Sequence, residues 1–111
     1  VSGPAAPGGD GGPVVLINVF EVAPADQGRL LDLLDEAWGV MRTVPGIVSA
    51  HAHAGLAGDR VANYVVWRSE AEFRAMLERP DARRHMRAIG EIATSNPVLY
   101  RAGERRTADG G

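Results

Sequence analysis

The run Val61-Ala62-Asn63-Tyr64-Val65-Val66-Trp67 alternates with a period of two and is rich in β-branched and aromatic residues. It reads as a strand with Val61, Asn63, Val65 and Trp67 on one face. A chain of 111 residues makes one domain with a thin core. That face is therefore expected to be buried, and buried polar groups need partners. An asparagine there is either a satisfied core residue or part of a pocket wall. A second run, Val14-Val15-Leu16-Ile17-Asn18-Val19-Phe20-Glu21-Val22, repeats the pattern, with Asn18 between Leu16 and Phe20 on one face.

Composition narrows the chemistry. The net charge of −2 leaves no electrostatic footprint for nucleic acid. No apolar run approaches the ~20 residues of a membrane span, so no membrane partner is expected. The Gly/Pro/Ala-rich beginning lacks an apolar signal core and argues for a cytoplasmic protein. Cysteine is absent, which excludes disulfides, cysteine nucleophiles, iron–sulfur clusters and Cys-based zinc sites. All twelve basic residues are arginine, so no lysine amine is available for Schiff-base chemistry.

Residues 1–12 and 103–111 read as flexible tails around one domain at 13–102. A first strand spans 13–22. Pro24 opens a helix that runs to about residue 43, with Leu30, Leu34, Ala37, Trp38 and Met41 at helical spacing. Trp38 reads as core. Pro45-Gly46 stops the helix. A second strand at 47–54, a hairpin loop at 55–59 and a third strand at 60–68 follow. Ser69-Glu70-Ala71-Glu72 has the capping-box pattern and starts a second helix. Arg79-Pro80 breaks it and begins a third, about residues 81–94, with a stripe of Ala82, Met86, Ile89 and Ala93. The last strand is 98–102.

The order β-α-β-β-α-α-β is the plan of a ferredoxin-like α+β sandwich with an antiparallel four-stranded sheet. Helices cover one sheet face. The other face also carries apolar residues, Val15, Ile17 and Val19, and an antiparallel sheet with two apolar faces needs a second cover. Two subunits packed sheet to sheet, a homodimer, supply it. In this topology the first and third strands are central and antiparallel, which makes Asn18 and Asn63 candidate cross-strand neighbours.

Four segments in order carry a family resemblance: Ile17-Asn18-Val19-Phe20, Pro45-Gly46-Ile47-Val48-Ser49-Ala50, Asn63-Tyr64-Val65-Val66-Trp67-Arg68-Ser69-Glu70 and Ser95-Asn96-Pro97-Val98-Leu99-Tyr100. Through them the chain resembles the antibiotic biosynthesis monooxygenases, which are dimeric α+β barrels. It is most similar to their cofactor-independent anthrone oxygenases of aromatic polyketide pathways. The resemblance implies oxidation of an anthrone to an anthraquinone by O₂, with no metal, haem or flavin. It assigns catalytic roles to Asn18, Asn63 and Trp67 and a substrate contact to Arg87. Phe73, His53, Phe20 and Val65 are expected beside the substrate. Ala52 and Phe73 stand where relatives can carry tyrosines, which puts a tyrosine proton relay in doubt. Haem-degrading relatives need an axial histidine on the second helix, and His51, His53 and His85 all lie elsewhere.

The residues are compatible with that chemistry. Triplet O₂ reacts poorly with closed-shell molecules unless a cofactor or an electron-rich substrate supplies an electron. Two carboxamides and an indole N–H can hydrogen-bond the oxygens of a substrate anion. The base stays open among His53, His51, Arg87, a water and the substrate's own acidity. Arg87 can equally belong to a solvated helix face with Glu91 as its i,i+4 partner. His85, beside Met86, reads as a surface or partly buried helix residue. His51 and His53 share a strand face but lack a third metal ligand; a pocket wall or dimer interface fits them better. A non-catalytic binder of flat aromatic metabolites and a polyketide cyclase are the alternative readings.

Overall fold

The computed structural model describes residues 12–110. The tail expected at 1–12 lies outside them apart from Gly12. Five strands, three helices and a 3₁₀ turn follow in the order β1 (Val14–Val22), the turn (Pro24–Asp26), α1 (Gln27–Met41), β2 (Ile47–Ala54), β3 (Arg60–Trp67), α2 (Glu70–Met76), α3 (Pro80–Gly90), β4 (Ala93–Thr94) and β5 (Pro97–Arg101). The sheet is antiparallel and open, in the order β2-β3-β1, with β4 and β5 both pairing with the far side of β1. Residues 102–110 form no strand or helix and are exposed.

Local chemistry explains the boundaries. Pro24 sets a 3₁₀ turn, and α1 begins only at Gln27, whose Nε2 donates to the carbonyls of Gly55 and Arg60, both at 3.0 Å. These bonds tie the helix start to the β2–β3 hairpin. Ser69 caps α2, accepting from the Glu72 N–H at 3.2 Å, as the capping-box pattern predicts. The Glu72 carboxylate turns instead to the Ser69 hydroxyl and the Arg68 guanidinium. Gly46, at φ +92°, completes the turn into β2, and its carbonyl accepts the Arg68 N–H at 2.7 Å. A Cβ at Gly46 would collide with the Glu72 side chain, so turn and helix start are built around each other.

Two expected elements differ. The third helix ends at Gly90 rather than near Thr94, because Ala93 and Thr94 pair with Val22 and Glu21 as the short strand β4. The sheet therefore has five strands, not four. In β2 a bulge between Ile47 and Ser49 changes the phase of the strand. Ile47 pairs with Trp67, yet Ala50, Ala52 and Ala54 are the partners of Val65, Asn63 and Val61.

The helices cover one sheet face. Their core divides into two clusters. One gathers Val14, Val44, Val65, Trp67, Phe73, Met76 and Ala82. The other gathers Phe20, Val22, Leu30, Leu33, Val61 and Ile89. Each fully buried side chain of this size contributes about 1.5–3 kcal/mol. Between the clusters, on both central strands, lies the asparagine row. The opposite sheet face carries Val15, Ile17 and Val19 with Tyr64, Val66, Val98 and Tyr100. Tyr64, Val98 and Tyr100 are exposed. No helix is long and apolar enough to cross a membrane.

Candidate active site

Asn18 and Asn63 are directly paired across the antiparallel β1–β3 ladder. Their register follows from alternation alone: Leu16 faces Val65 and Phe20 faces Val61 on either side. Both asparagines, with Leu16, Phe20 and Val65, border one cavity of about 520 Å³ between the sheet and the helices, and its lining is mostly apolar. Cavities of this size suit small organic ligands.

The two carboxamides are held differently. The Asn18 Oδ1 accepts the Asn96 backbone N–H at 3.0 Å. That bond links β1 to the turn before β5 and leaves the Asn18 NH₂ group as the free end. The Asn63 carboxamide makes no hydrogen bond to protein among the described residues. Trp67 lines the same cavity four residues farther along β3, about 13 Å from Asn63 along the strand. It is fully buried, and its ring meets Phe73 edge to face at 5.8 Å between centroids. Its Nε1–H is buried with no partner among the described residues. A buried donor left unpaired costs about 1–3 kcal/mol, an expense that a bound acceptor removes.

Two helices supply the opposite wall. From α1 come Leu31, Leu34, Asp35, Trp38 and Met41; from α3 come Ala82, His85, Met86 and Ile89. Both sets follow helical spacing. Trp38 therefore lines the cavity and is only half-buried. Periodicity does not distinguish a residue facing a core from one facing a cavity.

The structure brings Asn18, Asn63, Trp67, Phe73, Phe20 and Val65 to the cavity. It does not bring Arg87 or His53 there. Arg87 lies off the α3 stripe and is exposed. The β2 bulge directs His53, the partner of Ala62, to the outer sheet face. His51 borders the cavity, but its pairing with Tyr64 assigns its side chain to the outer face, where its ring lies 4.0 Å from that of His53. Ala52 and Phe73 line the cavity where tyrosines were the alternative, so neither position contributes a phenol. Sequence reasoning missed the cavity-facing side of His85. The signal was its spacing from Ala82 and Ile89. Among the described residues, no three His, Asp or Glu side chains gather closely enough to hold a metal ion.

An antiparallel sheet backed by helices, with a ligand-sized cavity between the layers, defines a ferredoxin-like α+β small-molecule protein. Residues 13–88 match the antibiotic biosynthesis monooxygenase family, and the chain belongs to it. Among curated relatives it is 40% identical to the tetracenomycin-F1 monooxygenase of Streptomyces glaucescens over 85 residues, 76% of each chain. Among solved structures it is similar to the monooxygenase from the gene ActVA-Orf6 of Streptomyces coelicolor, determined in complex with the ligand nanaomycin D. That likeness has a TM-score of 0.78 and 27% identity, covering 87% of this chain and 94% of that one. It is also similar to SnoaB, a cofactor-independent oxygenase from Streptomyces nogalater, with a TM-score of 0.75 and 25% identity. There the coverage is 88% of this chain and 98% of that one.

Proposed function

We propose that this protein is a cofactor-independent monooxygenase that oxidises an anthrone-type aromatic polyketide to an anthraquinone in antibiotic biosynthesis. The observation that carries this reading is the Asn18–Asn63 pair in a mostly apolar cavity also lined by Trp67, whose buried indole N–H has no partner among the described residues. Three neutral donors in a water-poor site favour an anion on the substrate's oxygens over its neutral form. The relatives named above, one a cofactor-independent oxygenase and another bound to nanaomycin D, support the same direction.

The reaction balances without a resident cofactor. Loss of a methylene proton leaves a delocalised carbanion. It gives one electron to O₂, and the two radicals join as a peroxide on that carbon. Loss of the second methylene hydrogen with cleavage of the O–O bond releases water and leaves the carbonyl. One oxygen atom enters the product and the other leaves as water. Asn18 and Asn63 hold the substrate oxygens while charge develops, and Trp67 supplies a further donor and a flat packing surface.

Oxygen uptake with the anthrone dithranol tests the reading. Uptake well above the spontaneous rate, unchanged by a chelator, is expected. Uptake at the spontaneous rate sinks the oxygenase, and chelator inhibition sinks its cofactor independence. Conversion without O₂ consumption identifies a cyclase instead.

The protein works as a homodimer in this proposal. The outer sheet face supports it, because Ile17, Val19, Val66 and Val98 remain half-buried or exposed there in one chain. Ile17→Glu is expected to convert a dimer to a monomer in sedimentation velocity. A wild-type monomer at micromolar concentration removes this part of the proposal.

A further inference from the structure

The reaction needs a base, and the cavity restricts the choice. Among the described residues, three titratable side chains border it: Asp35, His51 and His85. The outer-face pairing of His51 with Tyr64 turns its ring away. Asp35 is exposed at the rim, where water competes for its carboxylate. His85 is half-buried in the middle of the α3 stripe, three residues from Ala82 and four from Ile89. Those two neighbours locate it. Ala82 belongs to the cluster of Val65 and Trp67, and Ile89 to the cluster of Phe20 and Val61. On the sheet, the interval between the same clusters is occupied by Asn18 and Asn63. His85 thus stands across the cavity from the carboxamide pair, so that a flat substrate would lie between imidazole and amides.

We propose that His85 is the catalytic base that takes the proton from the substrate's reacting carbon. The inference rests on the oxygenase reading of this cavity. The carbon–hydrogen bond breaks, its electron pair stays on carbon, and the proton forms a new N–H on the imidazole. The resulting imidazolium returns that proton to the peroxide anion formed after O₂ addition. The base then accepts the second methylene proton as the O–O bond breaks, and this proton leaves with the departing oxygen as water. Imidazole is the side chain most often used for such transfer near neutral pH. Its shielded position keeps the carbanion it creates away from bulk water.

The test separates proton removal from oxygenation. Dithranol in D₂O without O₂ exchanges its methylene protons at a rate measurable by NMR. Wild-type protein is expected to accelerate this exchange. His85→Gln, of similar size and folded as judged by its melting temperature, is expected to lose about 10²–10⁴-fold of the acceleration. His85→Ala is expected to regain part of it with added imidazole, which a merely structural role would not produce. Asp32→Asn, exposed on α1 and outside the cavity lining, is expected to exchange like wild type. Exchange by His85→Gln at the wild-type rate overturns the proposal, as does a slow His85→Ala that imidazole fails to rescue. Because exchange needs no O₂, absent oxygen uptake with intact His85-dependent exchange would sink the oxygenase reading alone. Oxygen uptake with His85-independent exchange would sink this inference alone.

Discussion

Trp67→Phe separates what the indole does for stability from what it does for the reaction. Trp67 is fully buried, yet its Nε1–H has no partner among the described residues. Removing that N–H recovers about 1–3 kcal/mol of desolvation penalty. Phenylalanine keeps the contact with Phe73 but leaves a void of a few tens of Å³. At about 24 cal/mol per Å³ plus the lost transfer energy, that void costs about 1–2 kcal/mol. The two effects nearly cancel, so stability should change by less than about 1 kcal/mol, a shift of under ~8 °C in melting temperature for a domain of this size. Turnover is a separate matter. If the N–H holds charge that develops during oxygenation, kcat falls about 10²–10³-fold. Equilibrium urea unfolding at fixed protein concentration and oxygen uptake with dithranol measure the two quantities. A loss of about 3–5 kcal/mol, typical of deleting a large aromatic side chain from a packed core, would refute the energetic reasoning. An unchanged kcat would refute the functional reasoning.

Other substitutions test neighbouring parts of the structure. Asn63→Ala should lower kcat about 10²–10³-fold while urea unfolding stays near wild type. Asn18→Ala should lose similar activity and also about 0.5–1.5 kcal/mol of stability, because it alone releases the Asn96 N–H. Gly46→Ala places a side chain at φ +92° against Glu72; the backbone alone costs about 1–2 kcal/mol, so urea unfolding should show at least that loss. Hydrogen bonding from Arg68 holds the Glu72 carboxyl below its ordinary range, and Arg79 does the same for Asp81. Each pair contributes stability above the unfolded carboxylate range and loses it as pH falls through the depressed folded value. Melting temperature should therefore drop on acidification, less steeply in Glu72→Gln and less steeply in high salt, since both pairs are at the surface.

The legible parts of this molecule were those governed by alternation. Once β1 and β3 are central and antiparallel, Leu16, Asn18 and Phe20 must meet a matching row. The observed partners Val65, Asn63 and Val61 follow. The Ser69 cap and the break at Pro80 were equally plain, because each rests on chemistry within a few residues. What escaped depends on contacts distant in sequence. Ala93 and Thr94 leave the helix because β1 offers them hydrogen bonds, which local propensity does not record. Trp38 looked like core because an apolar residue over a cavity has the same spacing as one over packed side chains. Arg87 and His85 are two residues apart, and only the actual phase of α3 decides which faces the substrate. The family resemblance pointed to the arginine, which the periodic stripe of Ala82, Met86 and Ile89 does not include.

The bulge in β2 gives this wall a further property. With the bulge, Ala50 and Ala52 line the cavity and the two strand histidines face away. At the same chain length without the bulge, alternation from Ile47 would turn Ser49, His51 and His53 inward. The bulge thus keeps a smooth methyl surface on the cavity wall in place of a paired imidazole surface, and deleting Val48 would remove the bulge while Ala50 and Ala52 stay inward. For the engineer, the segment 47–49 sets the phase of the whole strand.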